Sequence, residues 1–245
     1  MKKILLFLFV PVILAGACAR DDYFQDSGTH SEFFNGNMME YLDSKAKLPI
    51  DPFDTLVQVI RHAGMEEVLQ NEDITFFAPP DPSINKTIKE LNRQLYFLGQ
   101  DTITSFQEVK PEVWRYFLEQ YMIRGDYGLI DIPQVDTLAL YAFPGQLYQT
   151  LNIEAPINVG VMYHDLVNEG SVIKYMGPRQ MMISYIPDFA QPRTGWLNTM
   201  IASSNIKPTN GRVHVINYIR HYFAFQPERF ISRVRELGID YITED

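Results

Sequence analysis

Ile74-Thr75-Phe76-Phe77-Ala78-Pro79-Pro80-Asp81-Pro82 is the stretch that decides the fold. Its first five residues are β-branched or aromatic, and the proline-rich run behind them continues neither a strand ladder nor a helix. The reading is a strand that ends in a rigid loop. Upstream, Phe53, Leu56, Val57 and Ile60 fall at i, i+3, i+4 and i+7 and share one helix face, which stops at Ala63-Gly64 with Met65 as the apolar contact beyond. Met38 to Leu42 is a shorter helical stretch. Downstream, Ile88, Leu91 and Leu95 give helical spacing over Lys86 to Leu98. Pro111 stands at a helix start, followed by Trp114, Phe117, Leu118 and Tyr121. From about Asp136 the pattern becomes short runs rich in Val, Ile, Tyr and Thr, broken by Pro144-Gly145, Asn168-Glu169-Gly170 and Gly177-Pro178. Thr209-Asn210-Gly211-Arg212 places Asn-Gly where a tight hairpin turn wants it, and Val213 to Asn217 alternates as a closing strand. Pro227-Glu228 opens a last helix with Phe230, Ile231, Val234 and Leu237 on one face. Helices first and strands later, without βαβ alternation, predict an α+β domain.

Three of these segments together resemble a fasciclin-type (FAS1) domain: Thr55 to Gly64 with Leu69, Ile74 to Pro79, and Asn210-Gly211-Arg212-Val213-His214-Val215-Ile216-Asn217. The likeness covers roughly Met38 to Ile219. It implies a wedge-like arrangement, a β-sandwich core flanked by helices, in a family that serves adhesion and extracellular binding. Members often carry a Tyr-His pair in the middle that is linked to adhesion. The corresponding stretch here is Tyr121-Met122, without the histidine. The region between Leu98 and Pro187 is enlarged, and the helix from Pro227 lies beyond the usual end of the domain. The expected organisation is a lipoprotein signal peptide over 1–17, a flexible tether over 18–37, the domain over 38–225, and a helix and tail over 226–245 packed on it.

The signal is read from the residues. Lys2-Lys3 form a positive n-region, Ile4 to Leu14 an apolar run too short to span a bilayer, and Ala15-Gly16-Ala17 lead into Cys18. Ala15-Gly16-Ala17-Cys18 resembles the lipobox of bacterial lipoproteins, with Ala15 where Leu is usual, which implies lipidation of Cys18. Ordinary secretion with cleavage near Ala17 or Ala19 is the alternative. Ala19-Arg20-Asp21-Asp22 resemble the acidic stretch that routes some lipoproteins to the outside of the outer membrane, with a solvated acidic tether as the alternative. Cys18 is the sole cysteine of 245 residues, so no internal disulfide holds the fold. From Cys18 onward 19 basic residues face 30 acidic ones, a formal charge of −11 that repels nucleic acid.

Chemistry is sparse. No Gly-x-Ser-x-Gly elbow, His-Glu-x-x-His or phosphate-binding Gly-rich loop occurs. Glu66-Glu67 diverge on a helix and are read as a solvated face. His62 and His164 lack partners at metal-ligand spacing, so neither metal nor cofactor is expected. His214, between two valines of the closing strand, reads as structural. Arg124-Gly125-Asp126 spells an integrin-recognition tripeptide but is too short to be specific, and Gly125 is assigned to ending a helix. The dense aromatic stretch before the last helix supplies the candidate ligand residues Tyr218, His221 and Tyr222, with packing of that helix as their competing use. The expectation is therefore a non-catalytic, membrane-tethered binding module for an envelope protein or extracellular polysaccharide. An accessory glycan-binding component of an outer-membrane uptake system and a hydrolase with a fold-assembled carboxylate site are the alternatives.

Overall fold

A computed structural model of the chain describes residues 32–46, 52–168 and 170–242. The signal peptide, Cys18 and the tether up to residue 31 lie outside the described residues. The described residues from Phe33 onward form one compact unit.

Among the described residues the elements run α1 (Met38–Lys45), α2 (Asp54–His62), α3 (Glu66–Asn71), β1 (Ile74–Ala78) and α4 (Asp81–Phe97). A 3-10 turn (Phe106–Glu108), α5 (Pro111–Glu119), β2 (Met122–Arg124), β3 (Gln146–Tyr148), β4 (Ile157–Tyr163), β5 (Leu166–Asn168) and β6 (Ser171–Ile173) follow. The chain closes with β7 (Arg179–Tyr185), β8 (Leu197–Ile206), β9 (Gly211–Ile216) and α6 (Pro227–Leu237). Seven strands form one sheet in the order β2-β1-β9-β8-β7-β4-β3, while β5 and β6 form a separate ribbon. The sheet wraps into a near-barrel, so the α+β architecture with flanking helices and a terminal helix is as the sequence led one to expect.

β1 sits between β2 and β9, antiparallel to the first and parallel to the second. All five of its residues are buried. Thr75 fits there because its hydroxyl donates to Gly125 O and accepts from Tyr127 N, at 2.7 and 2.8 Å. The strand ends at the prolines as expected, but Asp81-Pro82 is already the first turn of α4 rather than a loop. A proline in that turn forfeits no hydrogen bond, because the N–H it lacks has no intrahelical partner. Asp81 also reaches back to α2, where its carboxylate accepts from Thr55 N and Leu56 N, both at 2.9 Å. A residue 26 positions downstream thus caps the helix that the sequence pattern marked most clearly.

The Asn-Gly pair does something other than make a two-residue turn. The connection between β8 and β9 is four residues long, 207–210, and Gly211 is the first residue of β9. Its φ is +114°, and a Cβ on it would come 1.9 Å from Ile74 O on the neighbouring strand. Asn210 ties the loop to two helices, accepting from Met38 N at 2.8 Å and donating to Leu69 O and Glu72 O at 2.9 and 3.1 Å. The same loop holds residues ahead of α1: Phe34 N donates to Lys207 O, and Thr209 N donates to Gly36 O. Residues 33–37, read from composition as tether, are therefore bonded to the domain.

The last helix closes the core. Phe230, Ile231 and Val234 are buried, and Phe230 meets Trp114, Phe117 and Phe223 with ring centroids 4.9 to 5.8 Å apart. Trp114, Phe117, Phe223 and Phe230, from α5, α6 and the segment between β9 and α6, pack ring against ring in the core.

Candidate functional site

Tyr121 follows α5 rather than belonging to it, and it is fully buried. Its Oη lies 3.0 Å from His221 Nε2 and accepts from Ala224 N at 2.9 Å, while His221 Nδ1 lies 2.8 Å from Thr199 Oγ1. With the Tyr121 hydroxyl donating to Nε2, Nδ1–H donates to Thr199 Oγ1; in the other tautomer both bonds run the opposite way. Burial pushes the His221 imidazole down to about 3, with the positive charge of Lys86 acting in the same direction. Burial pushes the Tyr121 phenol well above its ordinary value. Both groups are neutral and closed within the core.

The candidate trio is thus divided. His221 is 1% exposed and both its nitrogens are bonded inside the domain. Tyr218 and Tyr222 meet at the surface around Lys86, whose Nζ donates to Tyr218 O at 2.6 Å and stands 4.9 Å from the Tyr222 ring centroid. His214 accepts from Asn205 N at Nδ1 and donates from Nε2 to Tyr127 O, so backbone bonds occupy its ring. Burial pushes it down to about 4. His62 Nε2 bonds Val109 O, and His164 bonds Gln180. Among the described residues no group of three or more His, Cys, Asp or Glu side chains converges as a metal site.

Arg124-Gly125-Asp126 is consumed by the fold. Arg124 pairs with Glu72 at 2.6 Å, and Asp126 accepts from Arg212 at 2.7 Å and from Lys207. Gly125, with φ +97°, ends β2 rather than a helix, and its N–H donates to Asp73 O.

What Tyr121 supports lies next to it. Ala224 and Phe225 have φ of +70° and +65°, a left-handed pair that non-glycine residues rarely adopt. The turn is held by the Ala224 N–H bond to Tyr121, by the Phe225 ring stacked 5.4 Å from Tyr121 at 8°, and by Arg229, which donates to Ala224 O at 2.7 Å. Gln226 is then extended and Pro227 enters the first turn of α6. The direction of α6 is set by this turn.

An open groove of about 430 Å³ results between α5, α6 and the end of β7. Arg229 lies 3.7 Å from the Tyr185 ring centroid and also donates to Gln120 Oε1 at 3.1 Å. Burial pulls its guanidinium below the usual value, and the surrounding tyrosines partly restore it. Arg233 lies 4.7 Å from the Tyr116 ring centroid and donates to Glu236 at 2.8 Å. Two stacked arginine–tyrosine pairs on rigid elements fix donors, acceptors and aromatic surface along one helix. The apolar face of the last helix was legible in the sequence, and its arginines were given no role there. The available signal was their spacing, Arg229 and Arg233 at i, i+4, beside Glu228, Ser232 and Glu236 at i, i+4, i+8.

The Fasciclin domain family matches residues 51–219. No curated protein matches the sequence. Among solved structures, a FAS1 domain pair from the insect cell adhesion molecule Fasciclin I is similar at 14% identity and a TM-score of 0.48, with 80% of this chain and 52% of that one covered. The chain spans about half the length of that domain pair.

Proposed function

The chain belongs to the fasciclin domain family, and from that membership we propose that it is a lipid-anchored, non-catalytic binding or adhesion module of a bacterial cell envelope, recognising an extracellular polymer or another envelope protein. Fasciclin domains are commonly non-catalytic adhesion and binding modules. The observation that carries the reading is the groove along α6, where Arg229 and Arg233 are stacked on Tyr185 and Tyr116 in an open surface. Preorganised donors and rings of this kind recognise ligands without a reacting group. Glu228 and Glu236, the carboxylates of that groove, are eight positions apart on one helix, about 12 Å along its axis. That exceeds the separation a paired acid and base use on a glycosidic bond, which disfavours the hydrolase alternative at this site.

The anchor is proposed from the Lys2-Lys3, Ile4 to Leu14 and Ala15-Gly16-Ala17-Cys18 pattern, and the outer-membrane surface from Asp21-Asp22. Cys18→Ser should release the chain from the membrane fraction and abolish lipid labelling. Retention of label would sink lipidation at that residue. Capture by the full chain, in detergent, of one discrete polymer or protein from envelope extracts supports the binding module. Recovery of nothing above a denatured control sinks it. The mixed polar and aromatic lining favours a second reading within this one, an accessory component that holds glycan near an outer-membrane transporter.

A further inference from the structure

We propose that the α6 groove is a binding site for a neutral polysaccharide lying along the helix, an assignment that rests on the binding-module reading and names its ligand class. The groove presents two neighbouring rows. Glu228, Ser232 and Glu236 stand at i, i+4, i+8 beside Arg229 and Arg233 at i, i+4; Arg229 Nη1 is already bonded to Ala224 O and Gln120 Oε1 and Arg233 Nη1 to Glu236 Oε2, so a ligand uses the other N–H groups and carboxylate oxygens of these rows. Successive members of a row are one turn apart, roughly 6 Å. A sugar hydroxyl is at once donor and acceptor, so adjacent hydroxyls on one ring satisfy a carboxylate in one row and a guanidinium in the other.

The charge balance selects the class. Two arginines and two glutamates line the groove and their formal charges cancel, in a chain whose net charge is −9. An anionic polymer meets no local positive field there and is repelled by the rest of the molecule. The geometry also favours polyol over peptide. The lining is Tyr116, Phe117 and Tyr185 with the polar and charged side chains of α6 in an open groove, rather than a deep apolar pocket for an anchoring side chain, the feature that dominates protein–protein hot spots. Stacking on Tyr185 and Tyr116 keeps both guanidinium planes fixed, which lowers the entropy lost when hydroxyls bind them.

The test uses the full chain in detergent, titrated calorimetrically with soluble β-glucan, mannan and xylan fragments and with polygalacturonate. At least one neutral probe should bind, with affinity unchanged by added salt, and polygalacturonate should not. Ser232→Trp fills the groove from an exposed position and Glu236→Gln removes one acceptor. Each should weaken binding at least about tenfold, the worth of a hydrogen bond to a charged group, while Tyr222→Ala, on the other aromatic cluster, should leave it unchanged. Preference for polygalacturonate, salt-sensitive binding, no neutral probe bound at millimolar concentration, or indifference to both groove variants overturns the assignment. If envelope extract still yields a discrete partner that Ser232→Trp retains, the binding module stands and only the groove assignment falls. If the extract yields nothing, both fall together.

Discussion

Tyr121 Oη and His221 Nε2, one hundred positions apart in sequence, are 3.0 Å apart in the core. The tyrosine is bonded to a histidine far along the chain, while methionine stands beside it at position 122. The bond does not stand alone, because the same oxygen accepts from Ala224 N and so fixes the left-handed turn that aims α6. Tyr121→Phe keeps the ring and leaves Ala224 N and His221 Nε2 buried without a partner. Each orphaned group costs about 1–3 kcal/mol, so the variant should lose roughly 2–6 kcal/mol in urea unfolding. A loss below about 1 kcal/mol would show that the turn is held by the Phe225 stacking and the Arg229 bond without the hydroxyl.

Two histidines make stability depend on pH. Burial pushes His221 down to about 3 and His214 to about 4, below the ordinary value of 6.5. Above that ordinary value both are neutral folded and unfolded, and their contribution is fully present. As pH falls through it the unfolded chain gains protons that the folded chain refuses, so stability drops until the folded values are reached. Between pH 8 and pH 5 the loss should be roughly 2 kcal/mol for each histidine. Denaturant midpoints measured across that window test this, with His221→Gln expected to halve the slope. A stability flat from pH 8 to pH 5 would refute the burial argument for both.

Glycines that look alike in sequence should differ when substituted. Gly64 has φ +65° and open space within 4 Å of the point where a Cβ would stand, so Gly64→Ala meets only the backbone penalty, about 1 kcal/mol. Gly211→Ala adds a Cβ 1.9 Å from Ile74 O, a backbone atom of the parallel strand that cannot step aside. That variant should lose more than about 3 kcal/mol or fail to accumulate folded. Asn210→Ala, next to it, removes bonds to Met38, Leu69 and Glu72 and should cost about 2–3 kcal/mol. Thermal melts of the three rank these effects, and equal losses for Gly64 and Gly211 would contradict the packing.

Why some of this was legible follows from the range of the interactions. The helix ending at Ala63-Gly64 and the strand Ile74–Ala78 are written in local periodicity and local composition, so they read directly. Asp81 capping α2 and Asn210 bonding two helices depend on contacts far along the chain, and nothing in either neighbourhood marks them. The ligand candidates show the same limit. Tyr218, His221 and Tyr222 were grouped because they are close in sequence, yet the fold sends His221 inward to Tyr121 and Thr199 and leaves the tyrosines at Lys86. The groove draws Tyr116, Tyr185 and Arg229 from three elements. Only its α6 rows have a spacing signal, which looks the same as that of an ordinary solvated helix face.

Asp126 tests whether its tripeptide is architecture or recognition. Burial alone would raise its carboxyl, but hydrogen bonds from Arg212 and Lys207 outweigh that and hold it below the usual carboxylate value. Those bonds join the segment after β2 to the β8–β9 connection and to β9. A depressed carboxylate contributes stability above its unfolded value and loses it as pH falls through the folded one, so this contribution fails further into acid than that of the histidines. Asp126→Asn keeps the shape and removes the charge. It should cost about 1–2 kcal/mol after allowance for partial solvent screening, and the loss should shrink at low pH, where the wild-type carboxyl is itself protonated. If Arg124-Gly125-Asp126 were a recognition element, the substitution would instead abolish adhesion to integrin-bearing surfaces at unchanged stability. Paired measurements of the denaturant midpoint and of cell adhesion separate these cases, and the double ion pair predicts the first.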